Sequence, residues 1–416
     1  MVQGHGEVRK MASLVGAAMV LGVGAAATAH AQTFAGAASK TDDNHTQIEF
    51  GVSLRHDTNV ARTSPEGIAQ RHIIPADDRL SPDASLDIQR VIGRHKFGVQ
   101  ADGGYDFYRY NSRLNRERVH IGLSGGIDLS ACYVTLTGGY ARTQTDMANF
   151  SATGDQTLVN NLESKTSAGA EMSCGGEIGL RPMAGVNVEK SVNSSNVRKG
   201  FDRDTKTYSA GLAYVHPSIG TLMAFGSLRQ MRFAHAFLSD GQHNGFDVKS
   251  IGGRFSRDTG ARLKGSLEMT YAQLSPRQAG GRSFSGLNWS ADLTLDVSSR
   301  MQAHAQLNRE ITAGAVADTT YHVDTTYSLD MSYVLNERLK LTASGSVKPR
   351  SFAGSQGVNG VALTNDRLYN ASTTLSYAMN DRLQFTLGGG YERRAANVAF
   401  YNYHSFNVQT GVRLKL

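Results

Sequence analysis

The end of the chain alternates between apolar and polar side chains with a period of two. Such a period is typical of a β-strand, because successive side chains of a strand point to opposite faces. Between 406 and 416 the odd positions carry polar residues or glycine. The apolar face is formed by Phe406, Val408, Thr410, Val412, Leu414 and Leu416. A strand with one apolar and one polar face suits a sheet that separates lipid from water.

The same alternation recurs along most of the chain, in segments separated by turns. Eight short turns and nine longer loops predict 18 strands. The short turns lie at 93–94, 130–131, 175–176, 217–218, 258–260, 298–299, 336–337 and 380–381. The longer loops lie at 57–80, 111–117, 143–157, 193–204, 233–245, 275–283, 312–319, 349–366 and 395–400. We therefore predict an all-β fold, a transmembrane antiparallel up-and-down β-barrel with both termini in the periplasm.

The N-terminus has the features of an export signal. Arg9 and Lys10 precede an apolar run, and Ala29-His30-Ala31 forms a small-residue cleavage site. A membrane anchor is the alternative, but the run is short for spanning a bilayer. We predict a signal peptide at 1–31, a short flexible periplasmic segment at 32–45 and an outer-membrane barrel at 46–416. The net charge of +7 comes from scattered residues, so no nucleic-acid partner is expected.

Aromatic residues fall near both predicted ends of the strands. Beside the short turns lie Tyr214, Tyr333 and Tyr377. Near the longer loops lie Tyr105, Tyr140, Tyr271, Trp289, Tyr321, Tyr391 and Tyr401. Two such belts are typical of the two membrane interfaces of a barrel.

The two cysteines flank consecutive short turns. Cys132 begins one predicted strand, and Cys174 ends the strand that follows it in the chain. Neighbouring strands lie about 5 Å apart, which is within disulfide reach. In an exported protein we therefore predict a disulfide between Cys132 and Cys174.

No motif for catalysis accompanies the thirteen histidines. The chain has no G-x-S-x-G, H-E-x-x-H or C-x-x-C pattern. His304 and His322 share predicted polar strand faces with other hydrophilic residues, which a water-lined wall explains. We expect no enzyme, no cofactor and no metal site, although a catalytic set assembled from distant strands stays open as an alternative.

The polar parity of the predicted strands carries both signs of charge. A mixed wall gives local fields, so composition does not define charge selectivity. The candidate residues lining the lumen are Arg55, Lys96, Arg118, Arg181, Arg254, Lys264, Lys340, Arg394, Arg413, Asp102, Asp106, Asp292, Asp324 and Glu392.

The first predicted strand leads into a motif with a family resemblance. Residues 57–60 read Asp-Thr-Asn-Val, similar to the D-[DST]-N-[VI] signature of the Putative beta-barrel porin 2 family, with His56 where tyrosine is usual. The turns 336–339 and 380–383 share an Asn-[Glu/Asp]-Arg-Leu pattern. The resemblance implies a barrel in the outer membrane of a Gram-negative bacterium. It also implies similarity to 18-stranded porins of exopolysaccharide export, and it transfers no binding residue.

We accordingly expect an outer-membrane channel that serves as the exit pore for a secreted polysaccharide. Its partners would be outer-membrane lipid, the polymer, and separate periplasmic and inner-membrane export components. If the polymer is acidic, Arg118, Arg254 and Arg394 are the expected contacts. The alternative is a general or anion-preferring diffusion porin for small solutes, narrowed by a loop folded inward. The loops at 57–80 and 349–366 are the candidates for that role, and a surface enzyme or purely structural barrel ranks behind both readings.

Overall fold

Eighteen antiparallel strands form one sheet that closes on itself. The computed structural model describes residues 44–145, 161–257, 262–313, 321–353 and 361–416. Consecutive strands pair with each other, and the first strand also pairs with the last. Closure leaves no sheet edge facing lipid, as a spanning sheet requires. The predicted fold and strand number are confirmed.

The strands are of similar length, and their bounds alternate between short turns and longer loops. They are β1 His45–Asp57, β2 Asp77–Ile92, β3 His95–Tyr108, β4 Arg116–Asp128, β5 Cys132–Gln144, β6 Leu162–Cys174, β7 Gly179–Asn193, β8 Arg203–His216, β9 Gly220–Phe237, β10 His243–Arg257, β11 Leu263–Pro276, β12 Phe284–Ser298, β13 Met301–Ala313, β14 Tyr321–Val334, β15 Leu339–Ala353, β16 Asn365–Ala378, β17 Leu383–Ala396 and β18 Tyr403–Lys415. The one described α-helix, α1, is Pro65–Arg71 in the β1–β2 loop.

Several strands are longer than the sequence predicted, among them β9, which continues to Phe237 inside the predicted loop 233–245. β2 begins at Asp77, inside the predicted loop 57–80, and β15 continues past Pro349 to Ala353. Proline lacks the N–H that a ladder needs. Pro349 is tolerated because pairing between β14 and β15 is interrupted there, while Pro349 still lies opposite Arg367 of β16.

The two faces of each strand differ as the alternation predicts. On β18, Phe406 and Val408 are more than half exposed, whereas Ser405 and Asn407 are buried. On β1, Phe50 and Leu54 are exposed in the same way. The apolar parity therefore forms the outer surface, and the polar parity points toward the barrel axis.

Most of the predicted aromatic residues lie on the outer surface, but two do not. Tyr214 and Tyr333 are exposed near the short turns, and Tyr271 is exposed nearer the loops. Tyr321 and Tyr401 are instead buried, at 8% and 3% exposure. Both belong to apolar clusters near the longer loops, a contact between distant segments that alternation does not encode.

The predicted disulfide is present between Cys132 and Cys174. The two residues lie directly opposite each other in the β5–β6 ladder. Among the described residues, no helix is long and apolar enough to cross a membrane. The predicted signal peptide at 1–31 lies outside the described residues, as does almost all of the segment 32–45.

The disulfide should form in the exported protein and contribute modestly to its stability. It closes a loop with a sequence separation of 42, for which the chain-entropy model sets an upper value of about 4 kcal/mol. We expect less, because the β5–β6 ladder already holds the two ends together. Mass spectrometry of non-reduced peptides should find the linked pair, and protein isolated from the envelope with two free thiols would contradict the assignment.

Candidate functional site: the barrel interior

The register of the sheet places all the candidate lining residues on the inward parity. They are Arg55, Lys96, Arg118, Arg181, Arg254, Lys264, Lys340, Arg394, Arg413, Asp102, Asp106, Asp292, Asp324 and Glu392. Their contact with a passing solute stays a prediction. The structure does show which of them are accessible and which are held in ion pairs.

Several of these charges pair across neighbouring strands while keeping some exposure. Arg254 Nε lies 2.9 Å from Glu268 Oε2, and Arg118 Nε lies 3.2 Å from Asp106 Oδ1. The side chain of Asp292 is 53% exposed. The wall is thus polar and locally neutralised, with no single sign of charge.

Other candidate lining residues are buried and form ion pairs within the barrel wall. Asp366 accepts a hydrogen bond from Arg350 Nε at 2.8 Å and from Arg394 Nε at 2.7 Å. The side chains of Asp366 and Arg394 have no exposed surface. Arg55 and Asp324 are also buried, at 4% and 3% exposure. These residues cannot contact a solute in the lumen, so the expected polymer contact at Arg394 is not supported.

One arginine of the β1–β2 loop bonds two carboxylates of the inner wall. Arg62 donates from Nε to Glu392 on β17 at 2.7 Å and from Nη2 to Asp57 on β1 at 2.8 Å. Both carboxylates have inward parity. Burial opposes the charge of Arg62, but the attraction of Glu392 and Asp57 outweighs it and raises the pKa of Arg62 above its usual value. The β1–β2 loop therefore contacts the inner face of the wall, while its role as a constriction stays a prediction. Of the other candidate loop, 349–366, residues 354–360 lie outside the described residues.

Local capping and backbone bonds give this loop a defined shape. Helix α1 begins after Ser64, whose hydroxyl accepts a hydrogen bond from the Gly67 N–H at 3.3 Å. Thr63 Oγ1 donates to the carbonyl oxygen of Phe400 at 3.1 Å, which joins the loop to the β17–β18 connection. Thr63 and Ser64 are buried and hydrogen-bonded, so this part of the loop has a defined conformation.

A second inward element lies across the barrel and was not predicted from the sequence. The inner faces of β10 and β11 carry buried Phe246 and Leu274, and Ile311 and Val323 at the ends of β13 and β14 pack on them. Ile311 and Val323 have the outward parity of their own strands. The full buried cluster is Met231, Phe246, Val248, Ala272, Leu274, Ile311, Tyr321 and Val323.

The strand pairing explains how the ends of β13 and β14 reach the barrel interior. The β12–β13 ladder stops at the pair Trp289–Arg309, although β12 begins at Phe284 and β13 continues to Ala313. Arg229 on the inner face of β9 donates to the carbonyl oxygen of Ile311 at 2.8 Å. The ends of β13 and β14 therefore leave the wall and narrow the lumen from this side.

A signal for the apolar inner wall exists in the sequence, but it is weak. Met231 and Phe233 on β9, and Phe246 and Val248 on β10, occupy positions where the alternation calls for polar side chains. These departures from alternation are short and do not reveal their partners. No group of three or more histidine, cysteine or acidic residues in the described part of the chain could hold a metal ion.

The family match extends over the whole barrel. A family model described as Putative beta-barrel porin 2 matches residues 46–416. The chain belongs to this family. Membership, together with the closed 18-stranded barrel, places the protein in the outer membrane of a Gram-negative bacterium.

Several solved outer-membrane proteins resemble this porin-family barrel at low sequence identity. Pseudomonas aeruginosa OccK2 (OpdF), in complex with glucuronate, has 11% identity and a TM-score of 0.46, covering 90% of this chain and 98% of its own. A BenF-like porin from Pseudomonas fluorescens Pf-5 has 11% identity and a TM-score of 0.46, covering 90% and 99%. Acinetobacter baumannii OccAB3 has 10% identity and a TM-score of 0.46, covering 90% and 100%. No curated protein sequence matches the chain.

Proposed function

We propose that the protein is a diffusion porin for small polar solutes. The observation that carries the proposal is the anchored β1–β2 loop inside a barrel with a polar inner wall. Arg62 bridges Glu392 and Asp57, so the loop narrows the lumen in a fixed position. Below it, half-exposed groups such as Asp292 leave a water-lined wall. Eighteen strands are wide enough to leave an aqueous channel around such a loop.

Export of a polysaccharide, the first expectation from the sequence, has less support. A polymer must pass along the full length of the lumen. The β1–β2 loop and the ends of β13 and β14 both project toward the lumen and would obstruct it. Arg394, an expected contact for an acidic polymer, is fully buried against Asp366. Membership in a porin family favours the diffusion alternative.

Passage of small solutes should depend on their size. Purified protein in liposomes should admit small neutral sugars, with a rate that falls steeply as the sugar grows, because a fixed constriction sorts by cross-section. Swelling of the liposomes after a shift into isotonic sugar measures the rate. Liposomes with boiled protein are the control, and equal exclusion of every sugar, including monosaccharides, would overturn the proposal.

A deletion strain separates the two transport readings. A diffusion porin predicts normal surface polysaccharide after deletion of the gene and slower uptake of small polar nutrients. An exporter predicts loss of the surface polymer with unchanged uptake. Quantifying polymer and uptake in the same strain decides between them.

A further inference from the structure

An apolar groove crosses the outer surface of β14–β17. Its volume is about 390 Å³. Gly345 and Ala371 lie side by side in the ladder and form its floor, between Leu329 on one side and Tyr391 on the other. The next row toward the loops carries larger groups, Tyr327, Val347 and Tyr369. The groove is therefore a depression made by small side chains beneath a row of larger ones, on the face that meets lipid.

Cationic side chains lie directly beyond the groove on the loop side. Arg393 is opposite Tyr369 in the ladder, and Arg367 is two residues beyond Tyr369 on β16. Both guanidinium groups are on exposed residues, and neither has a hydrogen bond or ion pair with any residue that the structure describes. His404 lies next to Arg393 on β18 and is also exposed.

Arg367 and Arg393 differ in this respect from other outward arginines. Two other outward arginines near the longer loops are ion-paired: Arg142 Nε lies 2.8 Å from Glu117, and Arg232 Nη2 lies 2.7 Å from Asp247. The described outward positions of β14–β18 contain no carboxylate at all. The cations above the groove therefore lack a protein counter-ion, and an anion from outside complements them.

The height of these cations matches the level of lipid headgroups. Arg393 lies ten residues along β17 from Leu383, the first residue after the short turn. At about 3.3 Å per residue and a strand tilt of roughly 35–45°, this is about 25 Å above the short-turn end. The apolar band of an outer-membrane barrel has about this height. Tyr369 and Tyr391 then lie at the interface, with Arg367 and Arg393 just above it.

We propose that this groove binds a phosphorylated lipid of the outer leaflet. One acyl chain lies over Gly345 and Ala371, where the small side chains give it room. A phosphate of the headgroup accepts charge-assisted hydrogen bonds from Arg367 and Arg393, and a bidentate guanidinium fits a phosphate well. Tyr369 and Tyr391 lie between the acyl chain and the headgroup, where their apolar rings and polar hydroxyls suit the membrane interface. The proposal needs the outer-membrane location and is independent of what passes through the lumen.

The proposal is tested by native mass spectrometry of the folded protein in a non-ionic detergent. Bis-phosphorylated lipid A is the probe, and bound copies are counted over a titration. We expect one preferentially retained lipid on the unmodified protein. The double variant Arg367→Gln/Arg393→Gln should weaken its binding about tenfold or more, since two charge-assisted contacts are lost. Lys206→Gln is the matched control, because Lys206 is an exposed outward residue on β8, away from the groove.

A second variant tests the groove separately from the charges. Gly345→Leu fills the floor, and its Cβ meets no atom closer than 4.0 Å, so the barrel should fold normally. We expect it to displace the lipid while both arginines remain. Gel mobility with and without boiling verifies folding of every variant.

Four outcomes would overturn the proposal. They are unchanged binding in the double arginine variant, unchanged binding in Gly345→Leu, equal retention of dephosphorylated lipid A, and full competition by inorganic phosphate alone. The last would identify a simple anion site in place of a lipid site. Loss of lipid binding with an unchanged solute-uptake rate would support the lipid site and leave the diffusion function standing.

Discussion

Replacing Asp366 with alanine is expected to destabilise the barrel more than any other single change in its interior. Asp366 holds two guanidinium groups, with Arg350 Nη2 and Arg394 Nη2 each 2.6 Å from its Oδ2. All three side chains are at most 4% exposed. Removing the carboxylate leaves two buried like charges without their shared partner, which costs about 3–5 kcal/mol of unfolding free energy.

The temperature at which the folded gel band is lost on heating, or urea unfolding in detergent, measures this effect. Asp292→Asn is the matched control on the same inward face. Asp292 pairs with His304 at 3.1 Å, but its side chain is 53% exposed, so its loss should cost less than about 1 kcal/mol. Equal stability of the two variants would show that the ion pairs of Asp366 with Arg350 and Arg394 do not stabilise the barrel.

Replacing Arg62 with methionine is expected to raise the conductance of the channel severalfold. Arg62 alone links the β1–β2 loop to both Asp57 and Glu392. The wall itself should remain intact, because Arg55 still lies 3.2 Å from Asp57 and 3.6 Å from Glu392. The loop then loses its bonds to the inner face of β17, although Thr63 still joins it to Phe400. The segment around residue 62 should therefore move away from the wall carboxylates, and the lumen should widen on that side.

The control for this variant is another ion-paired arginine of the inner wall. Arg413 Nη1 lies 3.2 Å from Glu49, and no loop is attached through it. Arg413→Met removes one positive charge from the lumen but leaves the constriction in place, so its conductance should change little. If both variants conduct like the unmodified protein, the loop does not form the narrow part of the channel.

Much of the fold follows from local sequence patterns. The period-two alternation defines which face of each strand meets lipid, and the regular turns define the number of strands. The disulfide between Cys132 and Cys174 follows from the same reasoning, because adjacent strands bring their ends together. Each of these inferences depends on neighbours in the chain or in the ladder.

The candidate site is less accessible to such reasoning. Parity identifies Arg394 and Arg118 equally as inward residues, yet Arg394 is fully buried and the side chain of Arg118 is 37% exposed. The difference depends on which loops and strand ends fold inward. Contacts such as that of Arg62 with Glu392, or of Arg229 with Ile311, join segments far apart in sequence. No pattern within a single segment encodes them.

We propose that this outer-membrane barrel is an open, constricted channel for small solutes. Single-channel recording of the purified protein in a planar lipid bilayer tests it most directly. We expect stepwise insertions with a stable open conductance in the absence of any partner protein, and a larger step for Arg62→Met. Verified insertion of folded protein without any conductance would contradict the claim.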